Sequence, residues 1–328
     1  MTQAVLLKIA AMFLVICVGW VARRRGYLAA EFTGILSRLV VDVAFPALVF
    51  TQMLRTVDAP ALREGWFCLL MGGVIILVAY LVGLPLVPVF AGKEQRNTFV
   101  FLVSISNWIF LPLPIAEALY GDAGVRVVLL SNVGAQLALW TFGVWILHGE
   151  VRGALRNLLT NYGLWATAAG IVLAIVFPWA RGLELIKPHE ASAAQLAGGA
   201  VVQALAMVGS LTVPMSLLAI GAQLSGLEVP VHKLSRAMWG VLLGRLVIAP
   251  AVTILIVVAL AKCGVTVPVV PRLVGYLIAA MPVAISCSVM AERFNGDAGL
   301  AAQGIFYSTF FSLLTVPVVF YVVQRLGL

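Results

Sequence analysis

A chain of 328 residues that is 62% hydrophobic and only 10% charged is too apolar for a water-soluble fold, whereas a polytopic membrane protein needs about 20 apolar residues per span. Its net charge of +8 is spread over many short connections with no extended basic patch, which argues for loop residues beside a bilayer and against a nucleic-acid partner. Cys17, Cys68, Cys263 and Cys287 lie in or near apolar stretches with no paired spacing, so they read as small buried hydrophobes rather than disulfides or metal ligands.

Hydropathy places ten spans at about 3–22, 31–54, 64–90, 97–119, 124–147, 158–178, 196–225, 235–262, 270–292 and 299–325. The first is not a cleavable signal, because Arg23, Arg24 and Arg25 follow its apolar run instead of preceding it. Connections after the odd-numbered spans carry ten lysines and arginines against eight on the other side. With the early arginine cluster, this predicts both termini outside and the 148–157 connection in the cytoplasm. No connection is long enough to hold a soluble domain.

Span 2 carries Pro46 and a deep carboxylate, Asp42, four residues after Arg38. Span 4 belongs to the most informative stretch, SISNWIFLPLPIAEALYGDAG from Ser104 to Gly124. Ser104, Ser106 and Asn107 precede Pro112 and Pro114, which interrupt the helix. Span 5 presents Ser131, Asn132 and Gln136 on adjacent turns. Span 7 carries Pro214, and span 8 carries Gly240-x-x-x-Gly244 followed by Arg245. Span 9 contains MPVAISCS, with Pro282, Ser286 and Ser288. Span 10 carries Tyr307, Ser308, Thr309 and Ser312.

The two halves repeat. Glu117-x-x-x-Gly121-Asp122-Ala123-Gly124 recurs as Glu292-x-x-x-Gly296-Asp297-Ala298-Gly299, 175 residues later. Pro46 and Pro214 match at an offset of 168. Five spans per half is an odd number, so the copies run in opposite directions through the membrane. The division is 1–148 for the first repeat, 149–157 for a cytoplasmic connection and 158–328 for the second repeat. Two interrupted helices at matching positions point to a transporter's substrate site.

If spans 4 and 9 both unwind, four half-helices meet near the midplane, and freed backbone groups must be satisfied by protein or a wet cavity. The amino-terminal ends of the second half-helices carry partial positive charge, which suits an anion. A plain proline kink is the competing account of each break. Arg245 lies about ten residues into span 8, roughly 15 Å from its end. It reads either as cationic charge for the substrate or as a structural partner of Asp42; Asp42 has Arg38 as a second candidate partner. Ser131, Asn132, Gln136 and the span-10 hydroxyls read as bonds between helices or as ligands. Glu117 and Glu292 sit near helix ends, as structural groups or as ligands for a coupling ion. His148, His189 and His232 fall in loops, and no Walker A, HExxH or GxSxG motif is present, so nothing argues for an enzyme.

Together, NWIFLPLPIAEALYGDAG, SLTVPMSLLAIGAQLSG, LLGRLVIAP, MPVAISCSVMAERFNGDAGLA and STFFSLLTVP resemble the auxin efflux carrier family, which includes prokaryotic malonate-type transporters and is related to the plant PIN exporters. The resemblance covers essentially the whole chain. It implies an all-α membrane protein of ten helices in two inverted five-helix repeats, as in bile acid:sodium symporters, with crossed helices 4 and 9. It also implies a scaffold of spans 1, 2, 6 and 7, a mobile domain of spans 3–5 and 8–10, an elevator-type motion, and a homodimer through the scaffold. The family's crossover residues carry over to Asn107, Pro112 and Pro282. The short 148–157 connection departs from the long-loop plant members.

The expectation is a secondary carrier of small organic anions, mono- or dicarboxylates such as malonate- or auxin-like weak acids, in the bacterial inner membrane, with no cofactor and no metal; Arg245 would favour a second negative charge. Ser106, Asn107, Ser286 and Ser288 would bind a carboxylate, with Arg245, Asn132 and Gln136 nearby. A channel or membrane sensor on the same fold is the alternative. Coupling to sodium, through Glu117, Asn107, Ser131 and Glu292, or to protons, through Asp42, is left open, as is uniport.

Overall fold

The computed structural model describes residues 2–148, 159–185, 192–226, 234–265 and 267–327. The 149–157 connection lies outside the described residues, as do Lys187, His189, His232 and Lys233; His148 ends the helix Val144–His148. Among the described residues the fold is all-helical, apart from one isolated antiparallel bridge between Ser106 and Val283.

Helix α1 spans Thr2–Arg24, α2 Ala30–Thr56, α3 Ala59–Phe90 and α4 Arg96–Ser104. Helix α5 covers Pro112–Leu147 and α6 Tyr162–Val176. They are followed by α7 at Ala193–Gly226, α8 at Arg236–Lys262, α9 at Val269–Ala279, α10 at Ser286–Arg293 and α11 at Ala298–Arg325. Six of these, α2, α3, α5, α7, α8 and α11, are long and apolar enough to cross a membrane. Apolar side chains dominate most of these helices, so lipid and neighbouring helices can bury them while each backbone satisfies itself internally.

Helix α5 is not one rod. Gly121 adopts φ 56°, ψ −144°, a conformation glycine reaches without a Cβ penalty. Gly124 then packs against the carbonyl of Ala116, whereas eight residues of straight helix would separate them by about 12 Å. The chain therefore reverses at the first acidic-glycine turn. At the second, Asn295 takes the positive φ, also 56°, and Asp297 caps α11 by accepting from the Leu300 N–H at 2.8 Å.

Prolines also shape α2 and α8. Each widens into a π turn, Val40–Ala44 in α2 and Gly244–Ile248 in α8, immediately before Pro46 and Pro250 respectively. A proline cannot donate to the carbonyl four residues back, here Asp42 and Leu246, and that missing bond accounts for the local widening. The two turns hold Asp42 and Arg245.

Most packing falls within two sets of helices, which meet where α5 touches α1 and α2 and where α11 touches α1. Helix α1 lies on the second half of α7, and α2 lies on α6 and the first half of α7. Helix α3 packs on α4 and α5, α8 on α3, α4 and α11, α9 on α5, and α10 on α11. The α3–α5 contact is a backbone-to-backbone approach: a Cβ on Gly134 would lie 1.7 Å from the Leu69 carbonyl oxygen.

All four cysteines are free. Cys68 and Cys287 are buried as expected, but Cys17 and Cys263 are exposed on the protein surface, where apolar side chains of a membrane protein meet lipid.

Candidate functional site

Helix α4 ends at Ser104 because the chain turns extended at Ile105 (φ −98°, ψ 106°), and helix resumes only at Pro112. Helix α9 ends at Ala279, and α10 begins at Ser286. The two breaks cross each other. The Asn107 N–H donates to the Pro282 carbonyl at 2.8 Å, and the Ala284 N–H donates to the Ile105 carbonyl at 3.2 Å. The Val283 N–H donates to the Ser308 hydroxyl of α11 at 3.0 Å. Backbone groups released by unwinding thus find partners inside the protein, which buried amides require.

Asn107 organises its own break. Its side-chain oxygen accepts from the N–H of Phe110 at 3.0 Å and of Ile109 at 3.3 Å, so this face of the side chain caps the turn leading into α5. Pro112 opens α5 and Pro114 follows two residues later. Neither has an N–H, so α5 offers fewer free amide donors to an anion than its position alone implies. The partial positive charge of its axial dipole remains, as does that of α10, whose first turn has no side-chain cap.

A cavity of about 480 Å³ lies at the crossing, within the size range of small-molecule sites. It is lined by Ser106, Asn107, Asn132, Gln136, Ser286 and Asp42, so six of the expected residues converge on one space. Its apolar wall comes from Phe45, Trp108, Phe110, Trp140 and Tyr162. The Ser106 hydroxyl, the Asn132 side-chain oxygen and the indole nitrogens of Trp108 and Trp140 have no hydrogen-bond partner. Unpaired buried polar groups are expensive, and several on the wall of one cavity mark a place where a ligand or water completes them.

A second cavity, also about 480 Å³, adjoins the first at Val41, Phe110, Ile285 and Ser286, which line both, and reaches Arg23, Ala30 and Gly226. Ser288 lines this second cavity. It connects the crossing with the end of the molecule where α1 stops and α2 starts. At the opposite end, about 40 Å away along α2, a smaller cavity of about 230 Å³ holds Glu117 and Arg55. Here Arg55 of α2 pairs with Asp122, and Arg126 donates to the Thr56 carbonyl at 2.6 Å. The α5 reversal is thereby held against the end of α2.

Other expected residues sit elsewhere. Arg245 has no exposed surface and lines none of these cavities. It binds the carbonyls of Val103 at 3.0 Å and Ser104 at 3.4 Å, and also that of Ala279. Among the described residues Asp42 forms no ion pair; it is exposed on the cavity wall, away from both Arg38 and Arg245 as partners. Ser131 is fully buried and donates to the Val127 carbonyl at 2.7 Å within its own helix. Pro112 and Pro282 are buried and shape the backbone without lining the cavity. Glu292 is exposed near the far end of α10, and it lines none of these cavities.

The aromatic wall escaped the sequence reading, although a signal was present. Asn132, Gln136 and Trp140 recur every fourth residue on one helix face, and Trp108 directly follows Asn107. An aromatic at helical spacing in an apolar chain does not stand out from lipid-facing neighbours.

The sequence is similar to known proteins along nearly the whole chain. Residues 4–156 and 151–320 match the family described as membrane transport proteins. An uncharacterized transporter of Methanocaldococcus jannaschii is 23% identical over 313 residues, covering 92% of this chain and 94% of that protein. An uncharacterized transporter of Methanothermobacter thermautotrophicus is 24% identical over 316 residues, covering 94% of each. Because the family match covers nearly all of its length, the chain belongs to this family of membrane transport proteins, the auxin efflux carriers that its motifs resemble.

Proposed function

We propose that the protein is a secondary carrier for small organic acids that bear one carboxylate on an apolar body. The cavity at the crossing carries the reading: Asn132, Gln136, Ser106 and Ser286 supply neutral polar groups, two helix amino termini supply partial positive charge, and five aromatic side chains form the wall. Among the described residues no lysine or arginine lines this cavity, and its one charged side chain is the Asp42 carboxylate. A second negative charge on the substrate would therefore go uncompensated, which favours monocarboxylates over dicarboxylates.

In this reading the chain has ten spans in two inverted repeats. The α4 break with the α5 segment before Gly121 forms span 4, and α9 with α10 forms span 9. Helices α1, α2, α6 and α7 form the scaffold and a homodimer interface, and the remainder moves as an elevator. The packing of the helices into two sets supports this division. Both termini lie outside, so the second cavity is the cytoplasmic approach. Asp42, the carboxylate on the cavity wall, is the candidate group for proton coupling; Glu117 lies at the opposite end, which suits a gate better than a shared ion site.

Counterflow in proteoliposomes tests the proposal. Saturable exchange of monocarboxylates, with weaker exchange of dicarboxylates and none of the corresponding neutral amides, supports it. Voltage-dependent single-channel currents without counterflow would establish a channel instead.

A further inference from the structure

Among the described residues Arg245 is the one buried charged side chain, and the cavity does not use it. Burying a guanidinium without compensation is prohibitive, so its partners reveal its purpose. They are three main-chain carbonyls, all reached by its two terminal nitrogens, while its Nε has no partner. Val103 and Ser104 are the last two residues of α4, and Ala279 is the last residue of α9. The final carbonyls of a helix have no intrahelical donor, and the breaks leave two such ends deep in the molecule. Each helix end carries about half a negative charge. One arginine facing two of them approaches local neutrality without any carboxylate.

Its place on α8 is built for this. The π turn Gly244–Ile248 rotates the helix at Arg245. A Cβ on Gly240 would meet Phe90 at 2.5 Å and Phe99 at 2.7 Å, and one on Gly244 would meet Leu86 at 2.9 Å and Val103 at 3.2 Å. The two glycines let α8 lie directly on α3 and α4, close enough for the planar fork to span both helix ends.

We infer that Arg245 is a positioning residue: it ties the carboxyl ends of α4 and α9 to α8, so that the crossing moves with α8 as one body while substrate is carried. The inference rests on the transporter reading but not on the identity of the substrate. Lysine keeps the charge but loses the fork; glutamine loses the charge and leaves one carbonyl or more unpaired.

The test measures counterflow by purified, reconstituted wild type, Arg245→Lys and Arg245→Gln, each checked by thermal unfolding. Arg245→Lys should keep KM within about twofold of wild type while its maximal rate falls about tenfold or more, and Arg245→Gln should lose transport. A raised KM with an unchanged maximal rate in Arg245→Lys would make Arg245 a substrate ligand and overturn the inference, as would normal transport in both variants. If the arginine variants fail to fold, a second measurement decides. In a chain with Cys17 and Cys263 replaced by serine, Gly244→Cys and Val103→Cys are oxidised to link α8 to α4; the atoms a Cβ at Gly244 meets are the end of the Leu86 side chain, which can turn aside, and the Val103 methyls, which the second substitution removes. Full transport with the link formed supports one moving body. Loss of transport restored by reductant contradicts it. A wild type without any counterflow would refute the substrate proposal alone, since the clamp is read only from variants and cross-link against an active reference.

Discussion

The amide N–H of Asn107 donates to the carbonyl of Pro282 across 2.8 Å, joining an interrupted helix of the first half to one of the second. Around this bond both chains are extended, both helices stop, and the polar cavity opens.

Asn107 therefore has two separable duties. Its side-chain oxygen holds the turn through Ile109 and Phe110, and its amide group belongs to the cavity residue set. Asn107→Asp keeps the acceptor, so thermal unfolding should change little, yet it adds negative charge beside an anion. Transport of monocarboxylates should fall about tenfold or more. Asn107→Ala should lose both, with a stability loss of about 1 kcal/mol from the uncapped turn.

Asn132 and Gln136 lie on the cavity wall but bridge no break. Asn132→Ala and Gln136→Ala should each raise KM by about tenfold, which corresponds to one lost hydrogen bond, and leave folding intact. Initial uptake rates over a range of substrate concentrations check this. Ser131→Ala, one residue away but bonded within its own helix, should leave KM unchanged.

Much of the site was legible because prolines, asparagines and serines are conspicuous in apolar sequence. The break before Pro112, the break around Pro282 and their shared use of Asn107, Ser106 and Ser286 follow from composition and the internal repeat. Arg245 and Asp42 were not legible in the same way. Depth along a helix can be counted, but the face on which a side chain emerges depends on the π turns at Val40–Ala44 and Gly244–Ile248. Those turns send Asp42 to the cavity and Arg245 to the helix ends, so the charge pair that depth alone allowed does not form. Glu117 and Glu292 repeat in sequence because they precede matching turns, and both lie away from the crossing.

The Arg55–Asp122 pair closes the end opposite the Arg23 approach. Its side chains are 38% and 59% exposed, so it is worth about 1 kcal/mol or less. In the proposed transport cycle that suffices to bias a gate. In a chain with Cys263 replaced by serine, Asp122→Asn should speed labelling of a cysteine placed at Thr51, which lines the small cavity beneath it, by about threefold with an impermeant thiol reagent applied from that side. High salt should produce part of the same effect in the wild type by screening the exposed pair.

The α3–α5 contact tolerates no side chain at Gly134. With a Cβ 1.7 Å from the Leu69 carbonyl oxygen, Gly134→Ala must push two helices apart and should cost about 3 kcal/mol, lowering the unfolding temperature or abolishing expression. Gly73→Ala, on the same α3 but with open space around its Cβ, should be neutral or slightly stabilising. Fluorescence-detected thermal unfolding of the two variants distinguishes them.

The most direct measurement is a density map of the protein bound to the monocarboxylate it exchanges fastest. The substrate should lie at the crossing, its carboxylate beside Asn132, Gln136 and Ser286 and its body against Trp140 and Phe110, with Arg245 still bonded to the ends of α4 and α9. Substrate found against Arg245, or in the small cavity beside Arg55 and Glu117 with the crossing empty, would contradict the account.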